Sequence, residues 1–258
     1  MLGLKNINIA RGLFFTRKTA NITRDLLFAR KVANITRFVL LYQGRTGSTF
    51  IIDSMGSHPN VITRGEFLSG KDAKAQESTI RNFYSKAPKS AQALGFKTKL
   101  RDIADKKKFL ALMDEFDVKM IFMYRSNLVK LALSKLNAHR IFKKYGTWNR
   151  LKGQEPLPPF APTIEEFDEA LQFRKTKEEE LQEFMKEVKR DMIVRDHQDL
   201  IDDPEKLFNE YFDYIGVEPA PLSSVVRKNE SDNMRDDLLN YDEIKAHYSD
   251  TPYAKMFD

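Results

Sequence analysis

The chain contains no cysteine among its 258 residues. That excludes a disulfide framework, a thiol nucleophile and any zinc site built on cysteine. Histidine is scarce as well: four residues, at 58, 139, 197 and 247, with no pair at metal-ligand spacing, so no metal is expected. No apolar run approaches the roughly 20 residues that span a bilayer. The short patch Gly12-Leu13-Phe14-Phe15 is flanked by Arg11 and Arg17 and lacks the core and cleavage site of a secretory signal. Without a thiol, a signal or a spanning segment, the expected location is cytoplasmic.

What is present suits one folded unit. Hydrophobic residues make up 41% and aromatics 11% of the chain, enough to fill a core and to exclude wholesale disorder. The net charge of +6 is unevenly placed. Residues 1–37 hold eight Lys/Arg and one acid, Asp25, whereas the remaining 221 residues carry 35 basic and 36 acidic side chains. The basic character belongs to the leader, so no nucleic-acid partner is expected of the body. Within the leader, Arg17-Lys18-Thr19-Ala20-Asn21-Ile22-Thr23-Arg24 recurs 13 residues on as Arg30-Lys31-Val32-Ala33-Asn34-Ile35-Thr36-Arg37. Two short copies make no solenoid. The reading is a basic leader, 1–37, that leads into a domain over 38–258 and is capable of peripheral contact with an anionic membrane.

Beyond the leader, β and α signals alternate. Phe38–Tyr42 reads as a strand buried on both faces, followed by a glycine turn and a helix to about Met55. Short strands are expected at 60–63, 93–97, 118–124 and 192–195. Helices are expected at 71–87, 102–116, 127–142, 164–189 and 204–215, with prolines at 156, 158, 159 and 162 breaking the pattern between two of them. The segment 164–189 has many acid–base pairs at i,i+4 spacing and reads as a solvated helix. Such alternation gives an α/β fold, a mostly parallel central sheet flanked by helices.

The informative stretch is Gln43-Gly44-Arg45-Thr46-Gly47-Ser48-Thr49, between the first strand and its helix. This position aims backbone N–H groups and the positive end of a helix dipole into one space. Gly44 and Gly47 admit an anion close to the backbone, Ser48 and Thr49 add hydroxyls, and Arg45 adds a charge. The loop reads as an anion site, for phosphate above all. No lysine follows Gly47, so the loop is not that of a P-loop nucleotidase. Arg125 stands where the 118–124 strand ends, the ligand edge of an open α/β sheet, and Ser134 lies two helical turns beyond Asn127. Guanidinium and hydroxyl together suit a second phosphate.

Gln43–Thr49, the run Tyr124-Arg125-Ser126-Asn127 through Ser134, and His197-Gln198-Asp199-Leu200 with Asp203-Pro204 occur in that order. In this the chain resembles the sulfotransferases that use 3′-phosphoadenosine 5′-phosphosulfate (PAPS), in their bacterial or carbohydrate-type form. His197 and Gln198 stand where that family has Tyr-Glu. The resemblance covers about 38–258 and implies a P-loop-like sulfotransferase fold. It implies that Gly44, Arg45, Thr46, Gly47, Ser48 and Thr49 hold the 5′-phosphosulfate. The 3′-phosphate would fall to Arg125 and Ser134, with Arg227 and Lys228 closing over it.

On the acceptor side the candidates are Glu66, His58, Lys97 and Lys99. The resemblance assigns Glu66 the role of general base. Lys97, at a strand end, is placed to contact sulfuryl oxygens or an anionic acceptor. His58 reads as a helix-terminating turn residue and His197 as a sheet residue. The implied activity is transfer of a sulfuryl group from PAPS to a hydroxyl of a small-molecule or glycan acceptor, leaving 3′,5′-ADP. Its rivals are a catalytically inactive nucleotide- or glycan-binding protein of the same fold and an ATP-dependent phosphotransferase.

Overall fold

The computed structural model describes residues 35–86, 88, 90–226 and 233–257. Most of the basic leader, including the first copy of its repeat, lies outside the described residues, as do Arg227 and Lys228. Five strands form one sheet: β1 (Thr36–Tyr42), β2 (Val61–Arg64), β3 (Ala93–Lys99), β4 (Val118–Tyr124) and β5 (Met192–Asp196). Their order is β2-β3-β1-β4-β5, and all four pairings are parallel. The crossovers carry α1 (Ser48–Gly56), α2 (Ala73–Ser85), α3 (Lys106–Glu115), α4 (Leu128–Tyr145) and α5 (Ile164–Glu187). After β5 come α6 (His197–Asp202), α7 (Pro204–Ile215) and α8 (Tyr241–His247).

Alternation along β1 divides the core. Phe38, Leu40 and Tyr42 pack with α1 and α7 through Ile51, Met55, Tyr211 and Phe212. Val39 and Leu41 face the other way, onto Ile80 and Tyr84 of α2, Phe109 and Met113 of α3, and Leu181 and Phe184 of α5. Each such side chain, removed from water, contributes about 1.5–3 kcal/mol. A third cluster joins α4 and α5 to the carboxyl-terminal segment through Leu133, Phe167, Leu171, Met234, Tyr241 and Phe257.

The chain leaves β1 for β2 on one side and later returns to β4 on the other. The carboxyl end of β1 is therefore the switch point where connections diverge, the position at which open parallel sheets bind ligands. The loop 43–47 begins there.

Two expectations change. His197 is not a sheet residue: Asp196 caps α6 by accepting from the Gln198 amide, and Asp199 accepts from the Asp196 amide, so His197 opens a helix. The charged helix α5 is not simply solvated. Phe167, Ala170, Leu171, Arg174, Glu178, Leu181 and Phe184 are all buried along one face, while pairs such as Lys175–Glu179 and Lys186–Glu183 occupy the other.

Candidate active site

The glycine loop is shaped by two left-handed residues, Arg45 and Gly47, both with φ of 76°. Alternation of this kind turns successive amides toward one concavity. For Arg45, a side chain in this region costs of order 1–3 kcal/mol, a strain that collects at functional sites. At Gly47 a side chain is also excluded by space, because an added Cβ would lie 2.7 Å from Leu200 Cδ2 and 3.3 Å from His197 Cδ2. The third motif thus acts on the first: α6 packs against the glycine turn and holds its shape. Gly47→Ala is expected to lower stability by about 1–3 kcal/mol from the backbone conformation alone. Urea unfolding checks it, and an unchanged midpoint would count against this packing role.

Helix α1 starts at Ser48 with no side-chain cap and no acid in its first turn. Its leading N–H groups and dipole stay directed at the loop. Thr46 is buried, with its hydroxyl donating to Gln43 O at 3.2 Å. Gln43 is buried too, and its Nε2 has no hydrogen-bond partner among the described residues.

Arg125 and Ser134, from the end of β4 and from α4, are both buried and meet this loop directly. Arg45 Nε donates to Ser134 Oγ at 3.3 Å, and Arg125 Nη1 lies 3.5 Å from Arg45 O. The two segments singled out in the sequence, 80 and more residues apart, form one continuous site. Asn127 fixes the entry to α4 by accepting from the Lys130 amide at 2.8 Å, and its Nδ2 donates to Met256 O at 2.8 Å. Arg45 Nη1 also donates to Trp148 O at 3.1 Å and to Asn149 Oδ1 at 3.0 Å. Beside it Trp148, half exposed, stacks on Phe142 with ring centroids 4.4 Å apart. Tyr145 donates to Glu155 O at 3.0 Å and so braces the following loop.

On the other side of the loop, Lys97 Nζ donates to Thr49 Oγ1 at 2.7 Å and lies 3.1 Å from Glu66 Oε1. Lys99 donates to the other Glu66 oxygen, and the Tyr42 hydroxyl donates to Glu66 as well. Glu66, Lys97 and Lys99 therefore form one network with Tyr42. Lys97 and Lys99, two residues apart on β3, point to the same face. Burial raises the Glu66 pKa, but Lys97 and then the hydrogen bonds from Lys99 and Tyr42 outweigh it and hold the carboxyl at about 2. Burial dominates at Lys97 and depresses its pKa, with Glu66 opposing. At Tyr42 burial and Glu66 both raise the phenol pKa.

His58 lies away from this network. Its Nδ1 accepts from the Asn60 amide at 3.0 Å and its Nε2 is 3.0 Å from Glu218 O, which makes it the turn residue expected after α1. His139 and His247 are exposed.

Sequence reasoning missed Tyr42 as a partner of Glu66, and it missed Arg174 and Glu178. The guanidinium of Arg174 on α5 reaches the loop, with Nη1 3.2 Å from the place a Gly44 Cβ would take. Two charged residues in register with the apolar stripe Phe167–Leu171–Leu181 were the available signal. No group of His, Asp or Glu able to hold a metal occurs among the described residues.

No family model matches the chain. Among curated proteins it is similar to nodulation protein H of Rhizobium meliloti strain 1021, 20% identical over 238 residues, covering 86% of this chain and 94% of that protein. Nodulation protein H of Rhizobium tropici is 22% identical over 237 residues, covering 86% and 92%. Among solved structures, a sulfotransferase from Alicyclobacillus acidocaldarius superposes with a TM-score of 0.46 at 13% identity, covering 86% of this chain and 94% of that one. A sulfotransferase domain from the curacin biosynthetic pathway superposes with a TM-score of 0.44 at 14% identity, covering 73% and 76%. Over 86% of its length the chain is thus similar to nodulation protein H, and its parallel sheet brings the glycine loop on β1 together with the Arg125–Ser134 pair.

Proposed function

We propose that the protein transfers the sulfuryl group of PAPS to a hydroxyl of a carbohydrate-type acceptor. The observation that carries this reading is the direct junction of the two anion-binding segments, with Arg45 Nε 3.3 Å from Ser134 Oγ. One ligand with phosphates at both ends matches such a junction. The site fits the donor in its other features as well: an uncapped helix start, a glycine turn and the unpartnered Gln43 Nε2. The loop residues Gly44–Thr49 would hold the 5′-phosphosulfate and Arg125 with Ser134 the 3′-phosphate. Nothing in the donor set calls for a metal.

In the reaction, the acceptor oxygen forms a bond to sulfur as the bond from sulfur to the bridging phosphate oxygen breaks. Glu66 takes the acceptor proton, and the negative charge left on the phosphate is met by Arg45 and the loop amides. As in phosphoryl transfer, positioning and charge stabilisation dominate. A carboxylate held at about 2 is ionised at neutral pH but weakly basic. Lys97 supplies the correction: drawn toward the sulfuryl oxygens, it loosens its grip on Glu66 and makes that carboxylate a better base. Trp148, flat and half exposed beside Arg45, supports a sugar-like acceptor, since one aromatic face suits a ring with an apolar side.

Melting shifts with 3′,5′-ADP and with ATP–Mg²⁺ test the donor class. Stabilisation by 3′,5′-ADP over ATP–Mg²⁺ is expected, and the reverse would point to phosphotransfer. Incubation with radiolabelled PAPS and a panel of acceptors then separates an enzyme from a protein that only binds.

A further inference from the structure

Helix α5 contributes a group that neither the sequence motifs nor the reaction above has used. Arg174 is nine-tenths buried, yet its Nε has no hydrogen-bond partner among the described residues. Its Nη atoms lie over Gly44, at the mouth of the loop, and a Cβ there would sit 3.2 Å from Nη1 and 3.5 Å from Nη2. Any other residue at 44 would push against this guanidinium. A buried charged group with an unmet donor is costly, and breaking such an arrangement is more costly still. The nearest groups increase the cost. Arg45 is a second positive charge close enough to disfavour the first, and Arg101 adds a smaller push.

The acid next to it on α5 does not balance it. Glu178, one helical turn along α5, is buried among Arg174, Asp196 and the backbone of Arg125. Neither of its oxygens makes a hydrogen bond of normal length and angle among the described residues. Burial raises its carboxyl to about 8, so at neutral pH it is mostly uncharged. Burial and Arg45 hold the Arg174 guanidinium down to about 10, still protonated at neutral pH. The result is a buried Arg174 guanidinium at the glycine turn whose acidic neighbour on α5 is mostly uncharged.

We propose that Arg174 is a donor-binding residue, closing on the 5′-phosphate end of the nucleotide from the α5 side while the loop amides hold it from α1. The inference rests on the PAPS reading and deepens it, by assigning the 5′ end a cation that comes from outside the loop. An anion seated at Gly44 meets the Arg174 Nη atoms and separates the charges of Arg45 and Arg174. Charge-assisted bidentate contact of this kind is what arginine supplies and lysine does not.

The test is calorimetric titration of wild type, Arg174→Ala and Arg174→Lys with 3′,5′-ADP and with adenosine 3′-monophosphate, which lacks the 5′-phosphate. Wild type should prefer 3′,5′-ADP; absence of that preference would dispose of the donor reading itself. Given that preference, Arg174→Ala should weaken 3′,5′-ADP roughly 10- to 150-fold, the range of a hydrogen bond to a charged group. Its affinity for the 3′-monophosphate should be unchanged. Arg174→Lys should recover part of the loss and covers the case in which the alanine variant does not fold. If substitution weakens both nucleotides equally, or neither, Arg174 is a packing residue and the inference fails.

Discussion

Glu66→Gln is expected to slow sulfuryl transfer roughly 10²- to 10⁴-fold, the usual worth of a positioned general base. The amide is nearly isosteric and keeps an acceptor oxygen for one side of the network, but its NH2 faces a donor on the other and the charge paired with Lys97 and Lys99 is lost, so the fold is checked alongside by melting. Binding of 3′,5′-ADP should then be little changed, and the loss should appear in kcat. Wild-type-like transfer by the variant would remove Glu66 from the role of base and leave the donor site untouched. The pH profile gives a second reading of the same residue. Its pKa is depressed from 4.5 to about 2, so the carboxylate is already ionised through the mildly acidic range. In the free enzyme this group produces no acidic limb in kcat/KM between pH 5 and 7. Its sign for stability follows: the network is fully stabilising above the ordinary carboxylate pKa and loses that contribution as pH falls through about 2. A limb in kcat/KM near pH 6 would therefore have to come from another group.

The second large effect is expected at Arg45. Arg45→Ala removes a charge from the glycine loop proposed to hold the donor and should cost roughly 10²–10³ in rate, by analogy with losing one preorganised oxyanion donor. It also removes the hydrogen bonds to Ser134, Trp148 O and Asn149 that tie the loop to α4 and the segment beyond it. Part of the cost should therefore appear as weaker binding. Alanine at 45 keeps the left-handed backbone but not these bonds, whereas Arg45→Lys keeps a charge without the fork. The alanine variant losing more rate than the lysine variant is the expected order, measured by initial rates at saturating donor. Equal rates for all three proteins would show that Arg45 only braces the loop.

Much of this was legible in the sequence for reasons that can be named. Val118–Tyr124 ends where expected because both faces of a central parallel strand are covered, so its apolar run has sharp limits. Pro204 and Gly216 bracket α7 by direct chemistry, one starting a helix and the other ending it in a left-handed turn. The loop 43–49 and Arg125 were singled out because phosphate recognition needs few residue types in a short span, and the structure brings the two together. Other features depended on chain segments that meet only in three dimensions. Tyr42 reads as a core strand residue, and only the return of the chain at Glu66 gives its hydroxyl a partner. Arg174 and Glu178 sit among so many charges that pairs such as Lys175–Glu179 mask their inward register. His197 reads as an extension of β5, yet a two-aspartate capping box turns the chain into α6 at that point.

The three segments singled out in the sequence are ordinary until the sheet assembles them. β1 places the glycine turn at the switch point, β4 sets Arg125 beside it, and β3 carries Lys97 and Lys99 to Glu66. Most directly, the central claim is tested by the affinity of the wild-type protein for 3′,5′-ADP relative to 5′-AMP, measured by calorimetry in one buffer. If Arg125 and Ser134 hold a 3′-phosphate while the loop holds the 5′ end, 3′,5′-ADP binds roughly 10- to 150-fold more tightly. Equal affinity for the two nucleotides would contradict the account.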